Sequence, residues 1–280
     1  MPLKLMYITN HPDIARIAEK YGVDRIWIDL EVKGKEKRQI NMRSVKSHHT
    51  IADIKMMSEI LSESELMVRI NPWDEASPEE VEAVISAGAA RIMLPMWKSP
   101  EEVEAFLTAV GERASTTLLL ETKEAVECLD TVLENPLVEE IYIGLNDLHL
   151  SYGLSFMFEL LSNGTVEALC SKIAERGIPF GFGGIARIGE GLLPAEKILC
   201  EHIRLGSSMV ILSRSFYDAS DETPLCEIEE VFRTNILRIR EYEEKIKGYR
   251  QEDFIRNRQQ VAQIVSDIVL KKGNASPCIL

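Results

Sequence analysis

Charged and amide side chains gather where short apolar runs stop. RIWIDLE (25–31) ends in Asp29 and Glu31, ELMVRIN (65–71) in Arg69 and Asn71, and TTLLLET (116–122) in Glu121. EEIYIGL (139–145) runs into Asn146 and Asp147, and Arg187 follows IPFGFGGI (178–185). A carboxylate beside buried apolar chain is costly unless it is exposed, paired or bound to something. Taken singly, each reads equally well as a solvated loop residue or a helix cap. Asp29 and Glu31 share one face of an extended chain, where either can pair with Arg69, and Asn146–Asp147 can be a turn. Taken together they offer carboxylates without a cysteine or histidine cluster, a donor set that suits a hard divalent cation. Mg²⁺ and Mn²⁺ prefer oxygen and often use one or two protein carboxylates, leaving positions for water and substrate. Glu121 and Asp147, on neighbouring runs, can share such an ion. Arg69 can hold a carboxylate or a developing oxyanion.

The elements that must position these residues alternate between short apolar runs and longer amphipathic stretches. Strands are expected at 3–9, 25–31, 65–71, 90–96, 116–122, 139–145, 178–185 and 203–212, each followed by a helix. The helix after the sixth strand ends near Gly177, and the last helix is the long polar stretch PLCEIEEVFRTNILRIREYEEKIKG. SPEEVEA occurs twice; in the first copy Ser77 is expected as the N-cap, Pro78 at the first helical position and Gly88 past the end. Strand–helix units with short connections predict an α/β fold, a parallel sheet closed into a (β/α)8 TIM barrel, with an open doubly wound sheet as the rival. The first turn, YITNHPDIA, lacks a glycine-rich fingerprint, and GFGGIAR (181–187) looks like a phosphate loop yet matches neither GxGxxG nor a P-loop lysine. In a barrel the carboxyl ends of the strands converge on one mouth, which brings the charged ends together. Residues 1–248 are expected to form the barrel and 249–280 a C-terminal helical extension and tail. In that extension Phe254, Ile255, Val261, Ile264, Val265, Ile268 and Val269 make an apolar stripe for packing on this barrel or on a neighbouring subunit.

Composition bounds the partners. The chain has 280 residues, 45% of them hydrophobic, and a formal net charge of −13. That charge disfavours nucleic acid and anionic membrane, while a local cluster or a metal can still attract an anionic substrate. No apolar run reaches membrane-spanning length and the N-terminus lacks a signal-peptide pattern, so a cytoplasmic location is expected. Cys128, Cys170, Cys200, Cys226 and Cys278 form no CxxC pair, against a disulfide framework or a cysteine-rich zinc site.

With these pieces in order, ITNHPDIARIAEKYGVDRIWIDLE, VRIN, AGAARIMLPMWKSPEEVEAF, LLLET and IGLNDLHLSYG resemble the HpcH/HpaI aldolase and citrate lyase beta-subunit family, from about residue 8 to 215. The resemblance implies an oligomeric barrel, a homo-oligomer with C-terminal helices exchanged between subunits. It implies class II aldolase chemistry: a divalent metal on Glu121 and Asp147, Arg69 stabilising a pyruvate-type enolate, and the backbone amides at Asn146 and Asp147, with Gly144 before them, holding the substrate carboxylate. The small-molecule partners would be a 2-oxo acid such as pyruvate and an aldehyde, with Arg187 a further substrate-binding candidate. The alternatives are an acyl-CoA lyase of citryl- or malyl-CoA type, for which Arg187, Arg214 and Lys98 are the cations at hand, and a non-catalytic 2-oxo-acid-binding barrel. A Schiff-base lysine is not needed, though Lys98 and Lys123 lie just beyond strands 4 and 5. The sequence departs from the family pattern at Val32, where a histidine is usual after Asp-x-Glu, at Leu119 and at Ser86. Asp29 and Glu31 remain as catalytic candidates, and His48, His49 or His149 can supply a base near neutrality, His149 being the nearest in sequence to the metal pair.

Overall fold

The computed structural model describes residues 2–34, 49–213, 216–217 and 223–274. His48, Arg214 and Cys278, named above, lie outside the described residues. The strands are β1 (Lys4–Ile8), β2 (Arg25–Asp29), β3 (Glu65–Arg69), β4 (Arg91–Leu94), β5 (Ser115–Leu120), β6 (Ile141–Ile143), β7 (Phe180–Ile185) and β8 (Met209–Leu212). All pair in parallel and in sequence order, and β8 returns to β1, closing the barrel. The open sheet is thereby excluded.

The helices between the strands are α1 (Pro12–Lys20), α2 (Ile51–Ile60), α3 (Ser77–Ser86), α4 (Pro100–Val110), α5 (Lys123–Val132) and α6 (Leu145–Ser151). Then come α7 (Glu159–Ser162), α8 (Thr165–Glu175), α9 (Ala195–Leu205), α10 (Leu225–Lys247) and α11 (Gln251–Asn274). The two SPEEVEA copies start differently. Ser99 caps α4 by accepting the amide of Glu102. Ser77 is not a cap: it lies inside the first turn of α3, and its hydroxyl accepts the amide of Asp74 upstream. Strand 8 begins later than expected, because residues up to Leu205 continue α9 until Gly206, at φ 75, ends it in the left-handed conformation.

Period two along each strand sorts the side chains into outward residues, packed under the helices, and inward residues that fill the barrel in layers. The middle layer is Met6, Trp27, Met67, Met93, Leu119, Tyr142 and Met209, all buried. β7 contributes Gly181 instead of a side chain; a Cβ there would lie 2.7 Å from the Tyr142 ring. The Tyr142 hydroxyl crosses to that side, donating to the Gly183 carbonyl and accepting the Ile211 amide. Below this layer, at the amino ends of the strands, Arg25 holds Glu140 through two bonds of 2.7 and 2.9 Å and also meets Glu65, which Arg91 binds from the other side. Above it stand Asp29, Arg69 and Glu121, two residues further along their strands.

Beyond the barrel, α11 lies on α9 and α7 of the same chain. Val261 and Val265 are buried there, with Phe254, Ile264, Ile268 and Val269 partly covered, whereas Ile255 of the expected stripe is exposed. Asn257 pins the helix by donating to the Lys197 carbonyl and the Glu201 carboxylate. No helix among the described residues is long and apolar enough to cross a membrane.

Candidate active site

The β2–β3 register sets Asp29 directly beside Arg69. The consequence is a forked pair: Arg69 Nε donates to Asp29 Oδ1 at 2.9 Å and Nη2 to Oδ2 at 2.8 Å. Nη1 lies 3.4 Å from Glu31. The guanidinium also sits over Trp27, 5.2 Å from the ring centroid. Both carboxylates are buried. Burial pulls the Arg69 pKa down, but the charges of Asp29 and Glu31, the Asp29 bonds and the charge of Glu121 together raise it above its ordinary value. Arg69 is therefore a fixed cation. The influence of Glu121 upon it joins the β2–β3 side of the mouth to the β5 side.

Asn71 secures the chain beyond Glu31: its side-chain oxygen accepts the amides of Val32 and Lys33, each at 3.0 Å. Its own amide group donates to Glu80 on α3 at 2.8 Å. Val32 itself is exposed. His49 lies at this end of the barrel, its Nδ1 accepting the Asp29 amide at 2.9 Å. That bond engages the Nδ1 lone pair, so the ring meets Asp29 as an acceptor.

Glu121 is buried at the end of β5, and Thr122 after it caps α5 through the Ala125 amide. Glu121 Oε1 accepts the amide of Met96, in the loop after β4, at 3.2 Å. On the other side stands Gly144, after β6; a Cβ there would lie 2.7 Å from Glu121 Oε2 and 2.9 Å from its Cβ. Only glycine lets the two strand ends approach this closely. Gly144 is also the cap of α6, so the expected strand 6 gives way to helix at Leu145. Asn146 and Asp147 thus lie in a first helical turn, where backbone amides have no partner within the helix.

Helical geometry decides the place of His149 relative to Asp147. In a strand, residues 147 and 149 would share a face; in a helix, two steps turn the side chain by about 200°. Asp147 lines a cleft with Glu121, Met96, Lys98, Thr122, Lys123, Glu124, Leu150 and Ser151, of about 450 Å³. His149 is not in that lining; it is buried, with Nδ1 3.2 Å from the Leu145 carbonyl. Of the candidate bases within the described residues, His49 is the one at the end of β2. Arg187 also stays outside the cleft lining, with Nε on Glu190 at 3.1 Å.

The donor chemistry fits a hard cation. Among the described residues no group of three or more His, Cys, Asp or Glu is gathered as a metal cage. Two carboxylates facing one cleft are what Mg²⁺ or Mn²⁺ uses when water and substrate supply the other oxygens. Sequence reasoning missed Met96, whose contribution is a backbone amide in an unusual conformation, and no residue type announces that.

The HpcH/HpaI aldolase/citrate lyase family model matches residues 4–160. Among solved structures, the HpcH/HpaI aldolase from Desulfitobacterium hafniense DCB-2 is 18% identical, with a TM-score of 0.60 over 76% of this chain and 86% of that one. RipC from Yersinia pestis is 17% identical, with a TM-score of 0.54 over 84% and 94%. The citrate synthase SbnG is 16% identical, with a TM-score of 0.58 over 76% and 87%. At such identities the likeness speaks for the fold alone. No curated protein sequence matches the chain. The family match covers more than half of the chain, including β1 to β6 and the strand ends that carry Asp29, Arg69, Glu121 and Asp147, and the protein belongs to the HpcH/HpaI aldolase/citrate lyase family.

Proposed function

We propose that this carbon–carbon lyase makes or breaks the C3–C4 bond of a 2-oxo acid, between the carbons α and β to its keto group, with Mg²⁺ or Mn²⁺ held by Glu121 and Asp147. The carrying observation is that these two carboxylates line one cleft, while Arg69, across the mouth, is fixed as a cation by Asp29 and Glu31. When bound, the cation polarises the keto oxygen as a Lewis acid.

The chain's own residues supply the rest. In the cleavage direction a 4-hydroxy-2-oxo acid passes its hydroxyl proton to water in the open cleft, its C3–C4 bond breaks, an aldehyde leaves, and the remaining enolate takes a proton back from water at C3 to give the shorter 2-oxo acid. The bonding pair moves through C2–C3 onto the keto oxygen. Arg69 faces the charge that develops there, and Asp29 orients the guanidinium rather than acting on substrate directly. The amides of Asn146 and Asp147, in the first turn of α6, hold the substrate carboxylate. The aldehyde lies in the outer cleft, between Met96 and Leu150, with Lys98 and Lys123 at the rim.

Pyruvate in D₂O tests this reading, because an enzyme that forms the enolate exchanges the methyl protons. Exchange is expected with Mg²⁺ or Mn²⁺ and is abolished by EDTA, and Glu121→Ala lowers it by about 100-fold or more. Wild-type protein that exchanges nothing with any divalent cation overturns the proposal.

A further inference from the structure

Met96 is the only non-glycine residue with positive φ among the described residues, at 54°. An L side chain in that region crowds its own carbonyl, and the conformation persists only where the surroundings over-determine it. They do so here. Pro95 and Trp97, on either side, are both buried, Trp97 completely. The Trp97 carbonyl accepts the Thr122 hydroxyl at 2.8 Å, and Ser99 two residues on caps α4. With both neighbours anchored, relaxing the Met96 backbone displaces either the tryptophan or the Met96 amide.

That amide has a specific target, Glu121 Oε1 at 3.2 Å. The carboxylate cannot withdraw to the other side without meeting Gly144, whose missing Cβ would stand 2.7 Å from Oε2. The strand-4 loop is thus stitched to the Glu-Thr pair at the end of β5 by consecutive residues, Met96 to Glu121 and Trp97 to Thr122.

We propose that Met96 is a positioning residue: its left-handed turn aims a backbone amide at Glu121 and fixes the carboxylate orientation that a bound divalent cation needs. The inference rests on the metal-site reading of Glu121 and adds to it a part of the protein that sets the site's geometry. The rival role is that the Met96 side chain merely forms cleft wall.

Leucine and isoleucine have the same composition and differ in branching at Cβ, which is the feature that resists positive φ. Full-length Met96→Leu, Met96→Ile and Met96→Gly are compared with wild type for Mn²⁺ affinity, by electron paramagnetic resonance in the presence of pyruvate, and for melting temperature. Leu and Gly are expected to keep the Mn²⁺ affinity within about threefold, while Ile weakens it by about tenfold or more, the scale of losing an outer support of a metal ligand. Gly should also melt at or above the wild-type temperature, having no Cβ to crowd. Equal affinities for Leu and Ile overturn the proposal, as does a Gly variant as weak as Ile. Should Ile fail to fold, the Gly variant decides: retained affinity supports the backbone role, and loss assigns the effect to the side chain. Wild-type protein that takes up no Mn²⁺ refutes the metal-site reading itself, a result distinct from wild-type binding that Met96→Ile leaves unchanged.

Discussion

Arg69 shows what a residue of the right type gains from its neighbours. Its fork is matched atom for atom by Asp29, and Glu31 lies against the remaining nitrogen. A lysine carries the same charge as a compact point and cannot bridge both Asp29 oxygens while facing the mouth. Arg69→Lys is therefore expected to slow pyruvate proton exchange by about 100- to 1000-fold. Mn²⁺ affinity should change little, because Glu121 and Asp147 are untouched; exchange by NMR and Mn²⁺ binding by paramagnetic resonance separate the two effects. Equal losses in both measurements would place Arg69 in metal retention instead. At this scale much was legible: Asp29, Arg69 and Glu121 betray themselves as charges that end apolar runs with period two. Met96 does not, since strain of about 1–3 kcal/mol in a backbone torsion has no letter of its own.

Elements were legible in order and less so in their ends. IYIGL is apolar and β-rich, so the strand pattern ran on to Leu145, yet the peptide turns helical at Gly144. Within that helix His149, two positions on, is turned away from the face of Asp147. The same effect at β8 assigned the end of α9 to a strand, although helix runs to Leu205. His202, in the last turn of α9 just before that stretch, is fully buried and stacks on Phe182 with ring centroids 3.9 Å apart and planes 2° apart. Its Nδ1 meets the Ser207 hydroxyl at 2.8 Å. Burial disfavours the charged ring and lowers its pKa from 6.5 to about 3. The unfolded chain thus binds one more proton than the native state between those values. Stability is unaffected by this group above pH 6.5, falls as pH drops through the window, and falls no further from it below about pH 3. The slope for one proton is at most about 1.4 kcal/mol per pH unit. Urea unfolding of His202→Gln across pH 3 to 8 should show a shallower acid loss than wild type, from a lower plateau near pH 8 because the stacked ring is gone. Parallel profiles would mean that other groups carry the acid sensitivity.

The whole molecule divides its barrel between two poles. At the carboxyl ends, charges stand around a cleft; at the amino ends, Arg25, Glu65, Arg91 and Glu140 close the barrel as a paired network. In this architecture the first pole carries chemistry and the second stability. Arg25→Met removes the forked partner of buried Glu140 and leaves it the Thr117 hydroxyl and the more distant Arg91, with an expected cost of about 3 kcal/mol in urea unfolding. Pyruvate exchange by the fraction still folded should remain near wild type, because the Met and Trp layer separates the poles. A large loss of exchange in folded Arg25→Met would show that the poles are coupled.

The sequence by itself determined the alternation of strands and helices, the period that turns Asp29, Arg69 and Glu121 to one side of their strands, and hence the expectation of one polar mouth. These are local properties, written in apolar spacing and in the residues that end each run. Only the tertiary structure decided that β8 returns to β1, that Asp29 pairs with Arg69, that Gly144 lies against Glu121, and that His49 rather than His149 stands at the end of β2. Those are contacts between residues far apart in the chain. They depend on strand register and on one-residue element boundaries, where a shift of a single position turns a side chain to the opposite face.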